Sequence, residues 1–176
     1  MMLAKSVSKI NKSILSVTIA LTAIISGSTV ALAGITTPAS VFNDRLKTSD
    51  NYAWLGDSTT LYNCMAYAIQ DYSQGWIWPW GVNNPTSAQM DTYMNSIGWY
   101  GVTMDSYDVA LYEIISYGQS NSDISHVGRI ADSTHSNAKW GPLELLQHSG
   151  WDPYKSSSPP NDVYGDARKK YYKGLK

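Results

Sequence analysis

The chain has 176 residues, 43% of them apolar, and a formal charge of −1, which suits one domain with its own hydrophobic core. Residues 1–33 hold three of the thirteen basic residues and none of the fourteen acidic ones, so the remainder carries a formal −4. That balance excludes a basic nucleic-acid footprint; the one basic cluster, Arg168, Lys169, Lys170 and Lys173, reads as a solvated C-terminal face.

In chain order, Lys5, Lys9 and Lys12 precede an uncharged, mostly apolar stretch from Ile14 to Ile25, and Ala31-Leu32-Ala33 offers a small-x-small site. This pattern predicts a secretory signal over 1–33, with cleavage after Ala33 and a secreted product that keeps no stable hold on the membrane. Residues 34–50 show little periodicity and read as an N-terminal arm, leaving 51–176 as the single domain. Asn51 to Leu55 reads as a short extended segment. Asp57-Ser58-Thr59-Thr60 supplies capping residues before a helical spacing of Leu61, Met65, Ala68, Ile69 and Tyr72. A glycine-bounded loop, Gly75-Trp76-Ile77-Trp78-Pro79-Trp80-Gly81, follows.

Pro85-Thr86-Ser87 opens a second helix with Met90, Tyr93, Met94 and Ile97 on one face and Gly98 at its end. Val109–Tyr117, Ile124–Ala131 and His135–Trp140 read as three strands of a meander, the last two joined by a turn at Asp132-Ser133-Thr134. Pro142 to His148 starts like a helix, with Pro in its first turn. The tail carries the loop Ser156-Ser157-Ser158-Pro159-Pro160 and a basic aromatic end. Helices followed by strands predict an α+β fold, N-terminal helices packed on a small antiparallel sheet.

Cys64 is the sole cysteine. Exported chains use cysteines in pairs, so a single thiol behind an export signal is an intermolecular bridge, a buried filler or a reactive group. At a helix start its thiolate would be stabilised. Sixty-two residues on, His126 alternates with Ile124, Gly128 and Ile130 on one strand face, which suggests a cysteine–histidine pair. A third polar group orienting the imidazole is usual in such sites; Asn137 on the third strand and His148 on the last helix are the two candidates. His135, at the turn, reads as solvated. The histidine spacings match no compact zinc pattern, so no metal and no cofactor is called for. Seven Trp and thirteen Tyr also suit ring stacking on a sugar or peptide, with Trp76, Trp78, Trp80 and Asn63 as the substrate-binding candidates.

Asn63-Cys64 at a helix start, His126-Val127-Gly128 on a strand and a hairpin to a further strand together resemble the papain-like NlpC/P60 cell-wall peptidases. The run Asn-Cys-x-Ala-x-Ala, a Trp-x-Trp-Pro, the strand His, and Lys139-Trp140-Gly141 with a His seven residues on is similar to a group of uncharacterised bacterial relatives of these hydrolases. The resemblance spans about Tyr62 to Tyr172. It implies a papain-like fold, Cys64 as nucleophile, His126 as base, and a peptide or peptidoglycan-like substrate. Met65 and Ala66 stand where those peptidases have Ser and Gly after the cysteine. The expected function is a secreted thiol amidase or peptidase. The alternatives are an exported binding module, for instance for carbohydrate, with an inert cysteine, or an acyl- or amine-transferring enzyme on the same pair.

Overall fold

The computed structural model describes residues 34–105, 112–157 and 163–174. The chain divides into two units, Met1–Ala31 and Leu32–Lys176, and the described residues belong to the second. Among them no helix is long and apolar enough to cross a membrane.

Among the described residues there are three short helices, two of them opened by side-chain caps. Helix α1 is Ala39–Asn43, after Pro38, and it lies in the segment read as an arm; its Phe42 and the following Leu46 are fully buried. Helix α2 is Cys64–Ile69, shorter than the predicted Leu61–Tyr72. It begins at Asn63, whose side chain accepts the Ala66 N–H, and it stops at Gln70, which takes a left-handed backbone. Helix α3 is Ser87–Ser96, opened by a reciprocal Thr86–Gln89 capping box. Its Met90 and Met94, four residues apart, are fully buried.

The rest is sheet. Strands β1 (Ala53–Gly56), β2 (Trp99–Thr103), β3 (Tyr112–Ser120), β4 (Asp123–Ile130), β5 (His135–Lys139), β6 (Leu145–Ser149) and β7 (Asp166–Lys173) form one sheet in the order β1-β6-β5-β4-β3-β7-β2. Every pairing is antiparallel. The expected α+β, papain-like NlpC/P60-type arrangement of helices on a small sheet is therefore overturned: the described part of the chain is mainly β. Val109 to Leu111, the start of the strand expected over Val109–Tyr117, lies outside the described residues.

Three strands that the sequence did not signal explain the correction: β2, which received no reading, β6 and β7. Pro142–His148 is not a helix, because Gly141, at φ 56°, takes a left-handed turn that folds the chain back on itself. Trp140 N–H then donates to Glu144 O, and Leu145 pairs with Lys139. Along β6 the buried positions are Leu146 and His148, a period-two pattern hidden by a histidine serving as a core residue. The basic tail is not a solvated face, because β7 runs between β3 and β2 with Tyr171 and Lys170 buried. Its lysines bury their stems and still reach partners: Lys169 binds Asp91, and Lys170 stands 5.1 Å over the Trp151 ring.

The sheet is covered on both faces. Neighbours in β3 show it: Ile114 packs with Met65, Met90 and Val127, whereas Ile115 packs with Phe42, Trp140 and Tyr154. A strand buried on both sides reads as a continuous apolar run. A bulge beside Tyr117 shifts the register, so Tyr117 faces His126 but Gly118 faces Ile124. Ile124 therefore packs on the α2 side, while Ile130, four residues beyond His126, packs against the Trp140 cluster. The shared face expected for Ile124, His126 and Ile130 is broken at this bulge.

Candidate active site

Asn63 does more than cap α2. Its Oδ1 accepts the N–H groups of Ala66 (3.1 Å) and Ile77 (3.2 Å), and its Nδ2 donates to Ile77 O (3.0 Å). The side chain thus ties the first turn of the helix to the tryptophan loop and is itself buried. Asn63→Ala would remove the cap and leave the Ile77 groups unmatched. The expected loss is about 2–3 kcal/mol of unfolding free energy, measured by urea denaturation; a loss below about 0.5 kcal/mol would contradict the arrangement.

Cys64 and His126 line one cleft of about 190 Å³, together with Asn63, Trp76, Trp78, Asn84, Ser125, Gly141 and Tyr164. Cys64 is 7% exposed and His126 1%. The backbone groups of Val127, Met65 and Cys64 face the sulfur in the sense that favours thiolate, but burial outweighs them and pushes the thiol up to about 11. Burial, helped by His148, holds the His126 imidazole well below its ordinary 6.5. The pair therefore rests as neutral thiol and neutral imidazole. Among the described residues no hydrogen bond joins the two side chains.

The imidazole of His126 is held from two sides. The Tyr164 ring stacks on it with centroids 3.7 Å apart and planes 7° from parallel. On its edge, the Tyr154 hydroxyl lies 3.5 Å from Nε2, a long contact, and Tyr154 is fully buried. Tyr154 reaches this place because residue 154 bridges to Leu46. Tyr164 reaches it through Gly165, at φ 81°, where an added Cβ would sit 2.1 Å from the Gly118 carbonyl carbon. Only glycine permits that approach.

Neither predicted orienter touches His126. His148 is on β6, not on a helix, and both of its nitrogens are used elsewhere. Nδ1 lies 2.7 Å from Asn51 O and Nε2 accepts from Trp140 Nε1 at 3.1 Å, which fixes the neutral form with its proton on Nδ1. Burial takes its pKa down to about 4. Asn137 sits on β5 opposite Arg129 and faces the Tyr67 hydroxyl, outside the cleft lining. The place by Nε2 is taken by Tyr154, which the sequence reading missed; nothing in Trp151-Asp152-Pro153-Tyr154 signals it. Of the tryptophans, Trp76 and Trp78 line the cleft, their indole N–H groups anchored on Thr60 O and Asn83 O. Trp80 lies behind, packed edge-on against Trp78 and Tyr93. His135, at the turn, binds the Asp132 carboxylate at 2.9 Å.

A family model described as "Domain of unknown function (DUF7689)" matches residues 53–172, a span that contains every candidate residue named above. No curated protein matches the chain, and no solved structure does.

Proposed function

We propose that this chain, which belongs to the DUF7689 family, is an exported thiol hydrolase that cleaves an amide or ester through Cys64. The observation that carries the reading is the cleft shared by Cys64, at the start of α2, and His126, on β4. The tyrosine hydroxyl behind Nε2 supports it. So does the signal-like pattern of residues 1–33, which would take the protein out of the cell.

In this mechanism His126 accepts the thiol proton as the sulfur attacks the carbonyl carbon, so that no free thiolate need accumulate at rest. The backbone N–H of Cys64, at the helix start, helps hold the oxyanion. The imidazolium returns the proton to the departing amine or alcohol. A water, deprotonated by His126, then hydrolyses the thioester and restores the thiol. In the tautomer with its proton on Nε2, the imidazole donates to the tyrosine hydroxyl and Nδ1 is the basic nitrogen. Hydrogen-bonded distances in such pairs often close only with substrate bound. Among the described residues no charged side chain lines the cleft, so the walls of indole, amide and hydroxyl suit an uncharged peptide or sugar-peptide segment.

The high thiol pKa also favours a second reading, a binding module whose cysteine is inert. One experiment separates the two. The purified protein is incubated with activated esters and peptide amides and its intact mass recorded. A hydrolase gains an acyl group on Cys64 that disappears with time, and Cys64→Ala gains none. A protein that never acylates while folded, yet retains a sugar or peptide ligand in equilibrium dialysis, is the binding module.

A further inference from the structure

Lys139, the last residue of β5, has no exposed surface. Its ammonium donates to Thr59 O at 3.0 Å, to Gly141 O at 2.7 Å and to Leu143 O, and it lies 5.4 Å from the centre of the Tyr62 ring. Three acceptors use all three of its protons. They come from two separate stretches: Thr59 belongs to the chain that leads into Asn63 and Cys64, and Gly141 lines the cleft. One cation therefore ties the entry to the nucleophile to the turn that forms another part of the wall. Carbonyls carry no net charge, so the charge that answers the ammonium comes from the Glu144 carboxylate, in a place where charges are weakly screened.

We infer that Lys139 is the positioning residue of this cleft, its ammonium fastening the approach to Cys64 against the Gly141 wall. The assignment rests on Cys64 being the nucleophile. The charged and titratable groups around the pair are few. Lys139 is attracted by Glu144 and by a Cys64 thiolate, the same thiolate acts on Tyr154, and His126 shares the cleft. Glu144 is held at about 2 by the Thr36 and Thr37 donors, despite its burial, His126 lies well below 6.5, and Tyr62 and Tyr154 lie above their usual 10. Burial brings Lys139 itself to about 8. Between pH 6.5 and 9.5, Lys139 is thus the one group of this set that titrates.

Because Cys64 is the sole cysteine, alkylation by neutral iodoacetamide reads this one site. With Lys139 charged, the logarithm of the rate climbs with pH. Near pH 8 the climb flattens, since the proton then comes off lysine and the thiol loses its cation. Lys139→Met is expected to lose the break and to react about tenfold more slowly at pH 7, the effect of one pKa unit on the thiolate fraction. Lys139→Arg keeps its charge throughout, so its profile rises through pH 8 without a break. A wild-type profile with no break, or a folded Met variant that keeps both break and rate, overturns the assignment. Should the Met variant not fold, an Arg variant that still breaks near pH 8 overturns it equally. A wild-type profile without the break, while acylation still needs Cys64, removes the role of Lys139 alone; a wild-type break without acylation removes the hydrolase reading and leaves the electrostatic one.

Discussion

His126→Ala should lower kcat on any substrate that acylates Cys64 by about 10²- to 10⁴-fold, the usual range for loss of a general base. The large effect follows from the resting state of the site. With the thiol pushed up to about 11, only about one molecule in 10⁴ is thiolate at pH 7. Nearly all turnover must then begin by proton transfer, and among the described residues no other base lines the cleft. The burial that keeps imidazole neutral also keeps it available as a base in mild acid, so the acid limb of the wild-type rate should lie well below pH 6.5. Tyr154→Phe removes the hydroxyl 3.5 Å from Nε2 but keeps the ring that packs against Trp140 and Tyr117. A fall of about tenfold, with the unfolding midpoint nearly unchanged, would mark an orienting role. A His126→Ala protein that turns over within threefold of wild type would remove histidine from the mechanism and with it the proposal.

How far the sequence could lead is visible in these same residues. Cys64 is identifiable because it is unique, but its helix starts three residues later than the caps at Asp57–Thr60 suggested, because Asn63 takes the capping role. His126 is identifiable because β-branched and apolar neighbours place it on a strand. What brings them to one cleft is not local. Tyr154 and Tyr164 arrive from the far end of the chain, over a bridge at residue 46 and a glycine packed on Gly118. Neither has a spacing pattern relative to histidine. The fold class was lost in the same way. β7 hides behind Arg168, Lys169 and Lys170, whose charges imitate a solvated tail although their stems are covered, and β6 hides behind Pro142 and a histidine in a core position. Counting both as non-strand, and giving β2 no reading, leaves a short meander where the described residues build seven strands. Local charge and capping outvoted pairing partners that no short window contains.

Acidification should destabilise this protein early, and histidine is the reason. His126 and His148 are both buried and both held below their ordinary 6.5, the second at about 4. An unfolded chain takes up protons at both positions as the pH falls through 6.5; the folded chain does not until far lower. Stability then rises with pH across this window, because the unfolded state binds more protons there. Each histidine contributes up to about 1.4 kcal/mol per pH unit, so the two together should cost roughly 4 kcal/mol between pH 7.5 and 5. That is a large share of the 5–15 kcal/mol typical of a domain. Glu144, held at about 2, adds its loss as the pH falls from about 5 toward 2, almost all of it below the pH range tested, so it does not disguise the effect. Urea unfolding at pH 7.5, 6 and 5 should show the free energy falling steeply over the last unit. His148→Gln, whose amide has both a donor for Asn51 O and an acceptor for the Trp140 indole, should remove about half of that slope while His126 retains the other half. A wild-type stability that is flat from pH 7.5 to 5 would mean that these rings take protons in the folded state. The neutral imidazole on which the proposed general-base step depends would then be absent at mildly acidic pH, and the acid limb of the rate would move up with it.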